Sequence, residues 1–160
     1  MTETTLHPNV KHVADTLAAK GLTDRVRVSE QRVATAAEAA DQLGCPVGAI
    51  ANSLIFDAEG EPVLILASGA HRVDTERAAG ALGVARLRRA SADFVRQATG
   101  QPIGGVSPVG HPSPLRTLVD EALREYAVVH AAAGHPNATF PTTFDELVTL
   151  TGGTPAEIGD

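Results

Sequence analysis

The nine residues Gly48-Ala49-Ile50-Ala51-Asn52-Ser53-Leu54-Ile55-Phe56 are followed by the polar stretch "DAEGEP" (57–62) and then by "VLILAS" (63–68). Two apolar runs separated by a short glycine-containing turn predict an antiparallel hairpin, and runs this apolar place it at the centre of a sheet. Successive side chains alternate between the faces of a strand. Ile50, Asn52, Leu54 and Phe56 therefore share one face, and Ala49, Ala51, Ser53 and Ile55 share the other. The bulkier set is expected to meet the core, yet it includes an amide. Buried without partners, such a group costs about 1–3 kcal/mol, so Asn52 needs an explanation that packing does not supply.

Outward from the hairpin, helices and strands take turns. Val10, Val13, Ala14, Leu17 and Ala18 follow the i, i+3, i+4, i+7 spacing of an amphipathic helix that Gly21 stops. "RVRVS" (25–29) alternates as a strand. Thr35 and Glu38 form a capping box for an Ala-rich helix ending near Gly44. Asp74 caps a helix running to Gly83, "VARLRR" (84–89) reads as a strand, and Ser91 caps a helix that ends at Gly100. "IGGVSPVG" (103–110) is extended and glycine-rich. "RTLVD" (116–120) and "YAVVHAA" (126–132) are further strands, and Thr143 with Glu146 opens the last helix, which "TGG" ends. Helices interspersed with hairpins predict an α/β (mixed α+β) fold, one domain over residues 1–160 around one mixed, mostly antiparallel sheet.

Composition narrows the function classes. The 160 residues suffice to bury roughly 70% of the unfolded surface. Only 3% are aromatic, so stacking of single-stranded bases on aromatic rings is largely unavailable. A net charge of −6 argues against coating nucleic acid along the whole surface but leaves room for a local basic patch. One cysteine, Cys45, allows no internal disulfide and fits a reducing compartment. The first twelve residues show no apolar leader, and no run approaches the ~18 apolar residues of a membrane span, so a cytoplasmic location is expected.

Familiar catalytic patterns are missing. No glycine loop ends in Gly-Lys-Ser/Thr. Gly105-Val106-Ser107 lacks the last glycine of a nucleophile elbow, so Ser107 is a poor nucleophile candidate. His7 and His12, like His130 and His135, are five apart, a spacing that separates side chains on a helix, and no Cys or carboxylate cluster joins them as metal ligands. Cys45 precedes Pro46 with no basic neighbour, which describes a packing residue. What remains is "TGQPIGGVSPVGHP" (99–112), whose paired Gly104 and Gly105 imply close backbone approach to something. It reads equally as a sheet corner or as a loop whose N–H groups face a ligand.

Together, "GAIANSLIF", "VLILASGAHRVD", "ATGQPIGGVSPVGHP" and "AAAGHP…FPTTFDEL" resemble the YbaK family, freestanding relatives of the editing domain of bacterial prolyl-tRNA synthetases. The resemblance spans nearly the whole chain, with its segments in order. It implies a mixed α/β fold with a central, strongly curved sheet flanked by helices, and metal-free hydrolysis, with no cofactor, of the ester between a wrong, small amino acid and a tRNA. The implied partners are the acceptor end of an aminoacyl-tRNA and a synthetase, not DNA and not a membrane. Segment 104–108 resembles the family's G-x-x-x-P loop, so Gly104 and Gly105 are implied to hold the ester and its oxyanion through backbone N–H groups. No nucleophilic side chain is then needed. Ile50, Ser53, Phe56, Ser107, Pro108, Gly134 and His135 are implied to line the substrate pocket, with the loops at 104–108 and 134 facing each other across it.

Asn52 stands where the family usually has lysine, which makes the position pocket-lining and assigns the amide to catalysis. The lost ammonium removes a charge-assisted contact worth about 1.5–3 kcal/mol. Arg72 is the nearest candidate to replace it, and Arg86, Arg88 and Arg89, with Arg77 and Arg116 as neighbours, are the densest cations for tRNA. Two readings follow: a trans-editing deacylase, favoured by the glycine loop, and a catalytically silent binding module, favoured by Asn52.

Overall fold

The computed structural model describes residues 7–29 and 35–159; residues 1–6, which open the stretch read as carrying no leader, lie outside them. The helices are α1 (Pro8–Ala19), α2 (Ala36–Leu43), α3 (Thr75–Leu82), α4 (Ala92–Thr99) and α5 (Phe144–Thr151). Four begin at the residues expected from sequence. Thr35 Oγ1 accepts the Glu38 N–H at 3.1 Å, Asp74 Oδ1 accepts from Glu76 and Arg77, Ser91 Oγ accepts from Phe94, and Thr143 Oγ1 accepts from Glu146. Each cap satisfies an amide that the helix itself leaves unpaired, typically worth about 1 kcal/mol.

The strands are β1 (Arg27–Val28), β2 (Ile50–Ala58), β3 (Glu61–Ser68), β4 (Arg88–Arg89), β5 (Arg116–Asp120), β6 (Val129–Ala132), β7 (Ala138–Thr142) and β8 (Thr154–Ala156). They form one sheet in the order β1-β7-β6-β2-β3-β5-β8, with β4 joined to β2. The β2–β3 hairpin lies at its centre, paired from Ala51↔Ser68 to Ala58↔Glu61. The pairings β1–β7, β2–β3, β2–β4 and β6–β7 are antiparallel, while β2–β6, β3–β5 and β5–β8 are parallel. The sheet is therefore mixed, as expected.

Three strands are shorter than their alternation suggested: 25–29 pairs only at 27–28, 84–89 only at 88–89, and 126–132 only at 129–132. Two went unread, β7 and β8. Pro141 argues against a strand in "ATFPT", because proline cannot donate to a ladder. Here β1 ends before it reaches Pro141, and the Arg25 guanidinium donates to the Pro141 carbonyl from that open side at 3.3 Å.

The face assignment at the hairpin also needs correction. Ala51 and Ile55, not the bulkier set, join the largest cluster, with Leu64, Leu66, Val119 and Phe140 against Val13 and Leu17 of α1, Val95 of α4 and Leu147 of α5. On the opposite face Phe56, Val63, Ile65 and Leu118 pack on Ala78, Ala79 and Leu82 of α3. Ile50, at the other end of that face, meets Ala39 and Ala40 of α2. Both faces are apolar because both are covered, as in α/β folds generally. Between α2 and α3 the cover has a gap, and Leu54 is 36% exposed there.

The sheet itself is interrupted at the same place. Opposite β3, β2 pairs with β6 only at Ile50 and Ala51 and with β4 only at Phe56 and Asp57. Over 52–55 no strand among the described residues pairs with that edge. Beside this opening, the loop after β3 is held down by the C-terminal segment: the Asp74 N–H donates to the Ile158 carbonyl at 2.7 Å, and Val73 bridges Gly159.

Candidate functional site

A cavity of about 910 Å³ occupies the opening in the sheet. Ile50, Asn52, Leu54 and Phe56 contribute one face of β2 to it, and Ala51, Ser53 and Ile55 the other. His130, Ala131 and Ala132 of β6 bound one end, and Arg89 and Ala90 the other. Ile103, Gly104 and Val106 close one side, with Thr35, Ala36, His71 and Arg72 on the opposite rim. Asn52 is half-buried, opposite Ala67 across the hairpin. Its polarity is thus explained by position: the amide faces an open cavity on a face otherwise filled at both ends by helices. Ser53 Oγ is buried and has no hydrogen-bond partner among the described residues.

The loop from 101 to 111 is cross-linked by its own hydrogen bonds. Gln101 Oε1 accepts the Ser107 N–H at 2.6 Å, Gln101 Nε2 donates to the Val109 carbonyl, and Ser107 Oγ accepts the Val109 N–H. Its tip is a tight turn in which the Gly105 N–H donates to the Pro102 carbonyl at 3.0 Å and Gly104 takes φ +90°. Positive φ at the third residue of a turn selects glycine. Gly105 is needed for a different reason: a Cβ there would lie 2.8 Å from His135 Cα, against backbone. The Gly105 N–H is consequently spent on the turn. Those of Gly104 and Val106 donate to no group among the described residues.

Other sequence-expected site residues lie elsewhere. Ser107 and Pro108 are buried behind the tip and do not line the cavity. Gly134, at φ +93°, packs on α1, where a Cβ would come 2.9 Å from the Asn9 carbonyl oxygen. The glycine loops therefore touch each other at Gly105 and His135 rather than facing across the cavity. His135 stacks near His7, ring centroids 4.9 Å apart, and its Nδ1 lies 2.5 Å from Asn137 Oδ1; its neighbour Pro136 reaches the cavity instead.

The arginine cluster is divided by strand alternation. Arg89, in register with Phe56, lines the cavity, whereas Arg88, in register with Asp57, points the other way. Arg86 and Arg88 line a separate depression of about 550 Å³ with Asp57 and Glu59. The cavity's ionisable residues among those described are Arg72, Arg89, His71 and His130, with no carboxylate, in a chain of net charge −6.

Two residues of the site, His71 and Asp120, carry no motif in the sequence, and His130 stands out there only as one of a histidine pair without further metal ligands. Asp120 is 1% exposed; its Oδ2 accepts the Ser68 N–H and meets His71 Nδ1, both at 3.0 Å, and its Oδ1 accepts the Ala122 N–H. His71 lies in "SGAHRVD" beside Arg72, and Asp120 closes "RTLVD", but their contact joins segments 49 residues apart. No local signal announces it.

Burial pulls the His111 imidazole below the ordinary histidine range, opposed in part by its contact with the Ser107 carbonyl at 2.7 Å and assisted by nearby His12. A group whose pKa is lower folded than unfolded binds fewer protons in the native state, so stability rises with pH across that window. The protein is therefore expected to lose stability as pH falls below about 6.5, the ordinary histidine value, and onward through the depressed folded value. Urea denaturation between pH 7.5 and 5.5 checks this, with a His111→Gln variant giving the shallower dependence.

Residues 30–150 match the model of the aminoacyl-tRNA editing domain. The chain belongs to the aminoacyl-tRNA editing domain family. Within this editing family, it is 34% identical over 119 residues to the uncharacterized protein YwhH of Bacillus subtilis, covering 74% of this chain and 75% of YwhH. A proline–tRNA ligase of Staphylococcus haemolyticus is 28% identical over 123 residues, 77% of this chain but 20% of the ligase. A crystal structure described as a candidate trans-editing enzyme for prolyl-tRNA synthetase superposes with a TM-score of 0.91 at 39% identity, covering 98% and 99% of the two chains. The mixed α/β editing-domain fold is thus established. Among the described residues, no helix is long and apolar enough to cross a membrane.

Proposed function

We propose that this chain is a cytoplasmic trans-editing hydrolase, one domain over residues 1–160, that deacylates tRNA mischarged with a small amino acid. The observation behind this reading is the cavity at the broken edge of β2: among the described residues Arg72 and Arg89 and no carboxylate line it, although the chain as a whole is acidic. Such sorting suits a ligand that brings its own negative charge, as a tRNA acceptor end does. Family membership and the likeness to a candidate trans-editing enzyme for prolyl-tRNA synthetase support the same reaction. In this reading the N–H groups of Gly104 and Val106 face the oxyanion as it develops, and the Asn52 amide orients the ester. Ser53 offers its unpartnered hydroxyl, while Ile50 and Phe56 bound the aminoacyl group. Gly105 acts by holding the turn against His135. The reaction uses water and no cofactor, and a synthetase is the expected source of the mischarged tRNA.

The test is single-turnover deacylation of a panel of mischarged tRNAs. Hydrolysis of a small aminoacyl ester above the buffer rate supports the proposal; tight tRNA binding with no hydrolysis across the panel assigns the chain to the binding-module reading, which the uncharged Asn52 favours.

The divided arginines give a sharper expectation for binding. Arg89→Ala should weaken tRNA affinity and lower the slope of log affinity against log salt by about 1, the effect of removing one phosphate contact. Arg88→Ala, on the other face beside Asp57, should leave both nearly unchanged. Filter binding at several salt concentrations measures each, and equal effects would remove Arg89 from the site.

A further inference from the structure

We infer that His130 is the catalytic base of this site, taking a proton from the water that attacks the ester. The inference rests on the deacylase reading above and adds a residue to it. His130 lies on β6 in direct register with Ile50, so its side chain shares the face of Ile50 and Asn52. It lines the cavity where β6 parts from β2, is half-buried, and has no hydrogen-bond partner among the described residues. The other cavity histidine, His71, stands on the opposite rim, not where β6 parts from β2, and its Nδ1 is held by Asp120 at 3.0 Å. Burial pulls the His130 pKa below the ordinary histidine range, which favours the neutral imidazole, the form that accepts a proton.

Among the described residues the charged groups around it are few. His71, Arg72 and Arg89 share the cavity. Across β7 the Arg25 guanidinium is paired with Glu146 at 2.9 Å, and α2, packed beside Ile50, turns Glu38 and Asp41 to solvent. Among the described residues no carboxylate lines the cavity to stabilise the imidazolium, which therefore returns its proton readily.

The step balances without any further reactant. As the water oxygen bonds to the ester carbonyl carbon, its proton passes to the His130 imidazole. The resulting oxyanion faces the Gly104 and Val106 N–H groups. Collapse breaks the carbon–oxygen bond to the ribose, and that oxygen takes the proton back from the imidazolium. The products are the free amino acid and a tRNA with its terminal hydroxyl restored.

The experiment is single-turnover deacylation from pH 5 to 8 by wild type, His130→Ala and His130→Gln, each checked by thermal melting. In wild type the rate should rise with pH through a midpoint below about 6.5 and then level. His130→Ala and His130→Gln should each lose about 100-fold or more, the usual contribution of a general base. Both should lack the acid limb, and added imidazole should restore part of the His130→Ala rate. A variant that keeps the wild-type rate, or one that loses rate but retains the acid limb without imidazole rescue, overturns the inference while leaving the deacylase reading standing. A wild-type protein that hydrolyses nothing overturns both.

Discussion

Asn52→Ala is expected to lower single-turnover deacylation of a small aminoacyl-tRNA about tenfold, with little change in melting temperature. The amide is half-buried at the cavity, and its removal deletes hydrogen bonds to substrate while leaving the Gly104–Val106 tip in place. A hydrogen bond of about 1.4 kcal/mol corresponds to that factor of ten. Asn52→Lys should move the other way, raising deacylation through tighter hold on the acceptor end. Among the described residues the cavity lining offers an ammonium no carboxylate, so the substrate's phosphate becomes its natural partner. Undiminished hydrolysis by Asn52→Ala would exclude the amide from the chemistry. An Asn52→Lys variant that binds tRNA more weakly than wild type would exclude the phosphate from its neighbourhood.

Asp120→Ala is expected to cost about 3 kcal/mol of stability, which in a chain of this length lowers the melting temperature by roughly 10 °C. Three groups converge on this buried carboxylate: the N–H groups of Ser68 and Ala122 and the His71 ring. Removing it leaves the donors unmatched, and each buried unmatched group costs about 1–3 kcal/mol. The same substitution frees His71 at the cavity rim, so activity at 20 °C should fall while the variant is still folded. Differential scanning calorimetry paired with single-turnover rates separates the two effects. An Asp120→Ala protein melting within about 2 °C of wild type would show that water replaces the carboxylate at no cost.

The legible parts of the fold were those written locally. Thr35, Asp74, Ser91 and Thr143 announced four helix starts because a cap is a contact between residues two or three apart. The central hairpin was equally readable, its two strands being joined by a short turn. The face of β2 that meets the largest cluster was misread because size suggested burial: Ala51 and Ile55 lie against the main core, while Leu54 looks into the cavity. β7 was hidden by Pro141, whose tolerance depends on where β1 ends. Of the site, the 104–106 tip and Asn52 stood out through glycine pairing and misplaced polarity. Gly134 and Gly105 look alike in sequence as close-approach glycines, and only the fold tells that one meets Asn9 and the other His135. His71 and Asp120 gave no sign, and His130 showed only as a histidine without metal-ligand neighbours, since their significance lies in contacts and register across 49 to 80 residues of chain.

The pairing of Ile50 with His130 has a consequence for how the protein is assembled. The hairpin that supplies the cavity floor joins near neighbours and forms quickly, whereas the β6 wall arrives from 80 residues downstream by a parallel contact. Loop-closure entropy must be met before that contact contributes, which makes it a late event in folding. A partly folded chain then presents an intact β2 with its edge bare from Ile50 onward, a template to which a second chain can add a strand. During folding the protein is therefore most exposed to self-association along the edge that its finished form keeps open for a ligand.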